Sequence, residues 1–155
     1  MFAIRAMAPR DLDAVLKLTD ETPEAPRWDR AVWEDIVASV DQRTAVRKGF
    51  IAANRLDLLG FAAAHLVAGV CELESIAVAK SARRTGIGSA LLNAVAGWAL
   101  ARGARKLELE VRAANASAIA FYERAGLLNE GLRPGYYHDP QDDAALMGKS
   151  LYSND

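Results

Sequence analysis

Just beyond Val78 the chain reads Arg83-Arg84-Thr85-Gly86-Ile87-Gly88. The run before it, Glu72 to Val78, is rich in apolar residues, and the run after it, Gly86 to Arg102, has helical periodicity. A strand that turns through glycines into a helix builds a site for phosphate. Glycine lets the backbone approach a ligand closely. The first N–H groups of a helix have no partner inside it, and the positive end of the helix dipole adds to their pull on an anion. What the loop lacks narrows the ligand. It has no Gly-x-x-x-x-Gly-Lys-Ser/Thr spacing and no lysine after Gly88, so it is not a P-loop. Leu91 stands where a dinucleotide fingerprint needs its third glycine.

Other side chains able to do chemistry have plain readings on spacing alone. Glu110 lies in Lys106 to Arg112, where Leu107, Leu109 and Val111 alternate with Glu108, Glu110 and Arg112. This is the pattern of a strand with one solvated face. Tyr122 reads as a core aromatic with its hydroxyl at the surface. Asn115 reads as a helix N-cap. His65, His138 and Cys71 have no metal-ligand spacing, so no metal is expected. Cys71 is a poor covalent nucleophile for chemistry near Val78, since seven extended residues separate them by about 23 Å.

These residues need elements to hold them. Phe2, Ile4 and Ala6 alternate as in a first strand. Asp11 to Thr19 places Leu12, Val15, Leu16 and Leu18 near one helical face. Glu21 to Arg27 contains two prolines and reads as a loop, after which Asp29 caps a second helix with Val32, Trp33, Ile36 and Val37 as its stripe. Thr44 to Ala53 and Leu58 to Val67 read as strands around a turn at Asn54 to Asp57, and Gly69 marks the turn before the strand ending at Val78. Gly103 stops the long helix, Gly126 stops a shorter one over Asn115 to Arg124, and Leu127 to Leu151 holds two strands around a loop with Pro140. The order is strand, two helices, three strands, helix, strand, helix, two strands. It predicts a mixed sheet with helices on both faces, and Glu72 to Val111 as a strand–helix–strand crossover between parallel neighbours.

The bulk numbers agree. A chain of 155 residues with 52% hydrophobic and 25% charged residues suits one globular domain over 1–155. A net charge of −1 argues against charge-driven nucleic-acid binding. The longest apolar run, Leu58 to Val70, is too short to span a membrane. A lone cysteine and the absence of a signal-like N-terminus point to the cytoplasm.

The motif Arg-x-x-Gly-x-Gly at Arg83 to Gly88 resembles the acetyl-CoA loop of the GNAT N-acetyltransferases. Leu109-Glu110-Val111-Arg112-Ala113-Ala114-Asn115, then Ala118, Phe121-Tyr122-Glu123 and Ala125-Gly126-Leu127, resembles the second half of such an enzyme. Glu74-Ser75-Ile76-Ala77-Val78, Gly135-Tyr136-Tyr137, Asp142-Asp143-Ala144 and Met147 are similar to the RimI-type ribosomal-protein-alanine group. The similarity covers roughly residues 70 to 150. Two departures stand out: Ala79-Lys80-Ser81 replaces an Asp-Pro turn, and Ser75 stands where asparagine is frequent.

The resemblance implies an α/β (α+β) fold with a mixed, mostly antiparallel twisted sheet of about seven strands. It implies acetyl-CoA or CoA as cofactor. Arg83, Arg84, Thr85, Gly86, Ile87, Gly88 and Ser89 would hold the pyrophosphate. Ile76, Ala77 and Val78 would offer backbone to the pantetheine, and Asn115 and Tyr122 would meet the thioester end. It assigns Glu110 as general base and Tyr122 as general acid, with Glu74 a rival base. Glu74, Trp28, Tyr136 and Tyr137 are candidates to face the acceptor, although tryptophans such as Trp28 and Trp33 are more often core or loop anchors. The acceptor would be a primary amine, and the RimI-type resemblance points to the N-terminus of a ribosomal protein. An N-terminal amine, with a pKa of about 7.7–8.0 against about 10.4 for lysine, needs the weaker pull. Rival readings are the same chemistry on a small amine, and a non-catalytic CoA-binding module. The resemblance leaves monomer and sheet-edge homodimer open.

Overall fold

The computed structural model describes residues 1–39 and 45–152. The strands are β1 (Ala3–Ala6), β2 (Ala45–Ala53), β3 (Leu58–Val67), β4 (Val70–Val78), β5 (Lys106–Arg112), β6 (Leu128–Tyr137) and β7 (Asp142–Ser150). The helices are α1 (Leu12–Asp20), α2 (Arg30–Ala38), α3 (Ile87–Ala101) and α4 (Ala116–Arg124), with 3-10 turns at Pro9–Asp11 and Lys80–Ala82. The element order matches the expectation from periodicity. Thr44, expected to open the second strand, lies outside the described residues.

The strands form one sheet in the order β1-β2-β3-β4-β5-β7-β6. Its neighbours are antiparallel except β4 and β5, which the α3 crossover makes parallel. Strand β3 shows why the sheet is covered on both faces: Phe61 to Ala64 are buried without a break. Ala62 and Ala64 pack in a core with Ile87, Leu91 and Val95 of α3 and Leu107, Leu109 and Val111 of β5. Phe61 and Ala63 point the other way, to a second core with Val15 and Leu18 of α1 and Trp33 and Ile36 of α2. Trp33 meets Phe61 edge-on, with ring centroids 5.0 Å apart. Asp29 caps α2, its carboxylate accepting from the Val32 amide at 3.3 Å.

Cys71 is fully buried in the α3-side core. Burial, and then the carboxylates of Glu72 and Glu74, push its thiol from 9.0 to about 12. It is therefore neither a thiolate nor a nucleophile at neutral pH. The folded chain keeps this proton where the unfolded chain gives it up. The resulting stabilisation is complete below pH 9 and is lost as the pH climbs toward 12. Denaturant titrations at pH 7 and pH 10.5 test this. Cys71→Ala should lose less stability over that interval than the wild-type protein, by about 1–2 kcal/mol.

Candidate active site

Strands β4 and β5 pair only at Val70↔Lys106, Cys71↔Leu107 and Glu72↔Glu108, yet β4 runs on to Val78 and β5 to Arg112. The cause of their parting is local. Against β3, Leu73 pairs with Ala64 and Ser75 with Ala63, so Glu74 is an extra residue. Such a bulge bends its strand and increases its twist. Beyond it, the β5-facing backbone groups of β4 have no strand partner. Between the parted strands lies a groove of about 820 Å³, bounded by β4, β5, the start of α3 and α4.

The bulge also resets which side each residue faces. Before it, Cys71 and Leu73 pack in the α3-side core; after it, Ala77 packs in the α1/α2-side core. Ile76 and Val78 turn toward α3. Glu74 reaches the α1/α2 side, where both its oxygens accept from the Arg47 guanidinium at 3.1 and 3.0 Å. The groove therefore opens on both faces of the sheet.

On the α3 side lies the glycine loop. Arg84 and Gly86 have φ of 65° and 86°. This left-handed region favours glycine. Gly86 caps α3, its carbonyl accepting from Ala90 at 3.0 Å. Among the described residues, nothing accepts from the amides of Arg84 to Ser89. A side chain at Gly88 would bring its Cβ to 3.3 Å from the Phe121 ring. The Arg83 Nε donates to the Val78 carbonyl at 3.2 Å and ties the loop to the end of β4. A turn of unpaired amides at a helix N-terminus is built for an anion. Arg83, Arg84, Gly86, Ile87, Gly88 and Ser89 all line the groove. Thr85 does not: its hydroxyl turns back to the Ala82 carbonyl.

Helix α4 closes this side. The Asn115 Oδ1 accepts from the Ala118 amide at 3.2 Å and from the Ser117 hydroxyl at 3.3 Å, so Asn115 is an N-cap as well as a groove residue. Tyr122 lines the groove but is only 7% exposed. Burial, then the nearby Tyr137, pushes its phenol up to about 12. It holds its proton throughout the neutral range. Asp142 and Asp143 place the segment before α4: the Ala114 amide donates to Asp142 Oδ2 at 3.0 Å, and the Ala113 amide to the Asp143 carbonyl at 2.9 Å.

On the other side, Glu110 points away from Leu109 and Val111 of the α3-side core. Arg133 of β6 lies 3.2 Å from its Oε1, and its Oε2 is buried without a donor. Interaction with this carboxylate is the main cause that raises the Tyr136 phenol, although no donor of ordinary geometry reaches Oε2. Tyr137 is raised first by burial and next by Glu110. Glu72, Glu74, Glu108 and Glu110 crowd together: after burial itself, the three other carboxylates raise that of Glu72.

Two residues expected near the acceptor lie off the groove. Trp28 packs against Trp33 at 5.0 Å and under the Arg47 guanidinium at 5.7 Å, so it braces the Arg47–Glu74 pair. Tyr136 stands outside the groove wall, edge-on to Tyr137 with ring centroids 5.0 Å apart and with the Arg133 guanidinium over its ring at 5.0 Å. Conversely, Thr22, Ala25 and Pro26 of the α1–α2 loop line the groove. Their sequence marks only a loop. Phe121 and Arg124 also line it, where helical spacing had given them no role.

A family model for the acetyltransferase (GNAT) family matches residues 12–127, which include the glycine loop, Glu110 and Tyr122. The chain belongs to this family. GNAT enzymes draw the acetyl group from acetyl-CoA. The chain is 39% identical over 92 residues to the [ribosomal protein bS18]-alanine N-acetyltransferase of Escherichia coli K12, a match over 58% of this chain and 62% of that relative. An uncharacterized N-acetyltransferase of Methanocaldococcus jannaschii is 30% identical over 94% of this chain and 90% of its own length. The crystal structure of the ribosomal-protein-S18-alanine N-acetyltransferase from Escherichia coli superposes with a TM-score of 0.81 at 28% identity, covering 100% of this chain and 97% of that one.

This GNAT chain has the features CoA needs: unpaired amides at the loop for a diphosphate, and a free β4 edge for an extended amide arm. Gly86→Ala forces an alanine to the φ of 86°. It should weaken CoA binding about five- to tenfold in calorimetry and cost about 1 kcal/mol of stability in thermal unfolding.

Proposed function

We propose that this GNAT protein moves the acetyl group of acetyl-CoA to a primary amine, the α-amine of a protein N-terminus, of the kind its ribosomal-protein-alanine relatives are named for. The observation that carries the reading is the Glu110 carboxylate, presented on the face opposite the anion loop with one buried oxygen unmatched. A buried acceptor without a donor costs about 1–3 kcal/mol, which a donor from the acceptor side would recover.

Bound acetyl-CoA supplies an activated thioester. The chain's own residues do the rest. Amides of Arg84 to Ser89 would hold the cofactor's diphosphate, and the free edge of β4 would take its extended arm. An ammonium has no lone pair for attack, so it must first lose a proton. Glu110 takes it, directly or through a water. Glu74 is less suited to this task, because one guanidinium engages both its oxygens. The Tyr122 hydroxyl carries the proton that a departing thiolate requires. The crowded carboxylates of Glu72, Glu74, Glu108 and Glu110 give the entrance a negative field, which favours a basic chain end.

Incubation with acetyl-CoA and a basic peptide that starts with alanine should release CoA, followed with a thiol reagent. Glu110→Gln should lower kcat about 100-fold and Tyr122→Phe about 10- to 100-fold, while Glu74→Gln retains most turnover. Full turnover in both the Glu110 and Tyr122 variants would refute their roles as base and acid. A preference for free small amines over peptides would refute the acceptor.

A further inference from the structure

Four polar or charged residues have side chains buried below the surface: Asp11, Thr19, Thr22 and Ser75, counted among the described residues. Three are satisfied. Asp11 pairs with Arg5 at 2.7 Å. The hydroxyls of Thr19 and Thr22 donate to the Val15 and Leu18 carbonyls, at 2.9 and 2.8 Å, one helical turn back. Ser75 is 6% exposed, and its Oγ has no partner. A strand offers no carbonyl at that reach. Its cross-strand partner is Ala63, and Ala77 follows it on the same side of β4. Between Ala63 and Ala77, an unmatched hydroxyl is a liability that an alanine would remove.

Ser75 nonetheless lines the groove, as Glu110 does. The bulge at Glu74 turns Ser75 to the same side of the sheet as Ala77, the side that Glu110 also faces. The two strands that part after Glu72 and Glu108 thus bring two unmatched buried oxygens to one groove. One is a hydroxyl with a proton to give; the other is a carboxylate oxygen that can only accept. A water seated between them would satisfy both, accepting from Ser75 and donating to Glu110, and would keep one lone pair free.

We propose that Ser75 is a positioning residue that, with Glu110, seats the water through which the acceptor ammonium loses its proton. This rests on the reading of Glu110 as general base. The balance is simple. One N–H bond of the ammonium breaks and its proton joins the water oxygen. One O–H bond of that water breaks and its proton joins Oε2 of Glu110. The water is regenerated, the carboxylate becomes a carboxylic acid, and the amine gains its lone pair. Ser75 gives up no proton; it fixes where the water sits.

The test uses whichever amine of a peptide and free-amine panel the wild-type enzyme acetylates. Ser75→Ala should lower kcat about tenfold and leave the acceptor KM and the acetyl-CoA Kd within about twofold. Ser75→Thr, which keeps the hydroxyl, should recover kcat to within about threefold of wild type. In a Glu110→Gln background, adding Ser75→Ala should cost less than about twofold, because the seat then has only one end. The thermal midpoint of Ser75→Ala should not fall. A raised acceptor KM with kcat intact would show that Ser75 holds the amine itself, and would overturn the proposal. So would a full tenfold loss in the Glu110→Gln background, or wild-type kcat in Ser75→Ala. Wild-type turnover by Glu110→Gln is a separate result: it removes the general base, and the seated water with it.

Discussion

The architecture turns on a single extra residue in β4. Glu74 has no place in the ladder with β3, so the strand bends and stops pairing with β5 after Glu72. A sheet of this size ordinarily satisfies its interior backbone from both sides. Here one strand keeps an open edge in the middle of the sheet, and the opening passes between two hydrophobic cores. The cores carry the stability that makes this break tolerable. One, under α3 and α4, is built on Leu91, Val95, Leu107 and Leu109; the other, under α1 and α2, on Trp33, Phe61 and Val15.

The bulge residue is itself held. Arg47 grips Glu74 with two hydrogen bonds along its guanidinium edge, and the Trp28 ring lies under that guanidinium. A paired charge that is partly buried holds its position when its neighbours also pack it. The same bend that frees the backbone on the α3 side gathers Glu74, Ser75 and Glu110 on the other. The free β4 edge and the gathering of Glu74, Ser75 and Glu110 thus share one cause. The Tyr122 phenol, kept protonated by burial, approaches from α4.

Much of this was legible in the chain. Periodicity located the elements because each has a strong alternating or helical pattern, and Lys106 to Arg112 emerged with the bounds read from its alternation. The glycine loop was legible because its conformation demands glycine at Gly86. The bulge was hidden: the adjacent polar residues Glu74 and Ser75 break the alternation between Leu73 and Ile76, but such a break does not by itself say that one residue is left out of the ladder. The partners Arg47 and Arg133 were hidden too, since each comes from a strand distant in sequence from the carboxylate it meets. Trp28 lies off the groove because the neighbouring Trp33 and Arg47 claim its ring. Pairing extent, bulges and ion pairs across the sheet are decided by tertiary packing, which no local pattern encodes.

The wall of the groove contributed by Thr22, Ala25 and Pro26 belongs to a connection that takes part in no strand ladder. The unpaired loop amides and the free strand edge lie on other elements, the start of α3 and β4. On the proposed reading, this loop lies on the route of the incoming nitrogen and takes no part in the strand edge or the amide turn proposed for the acyl donor.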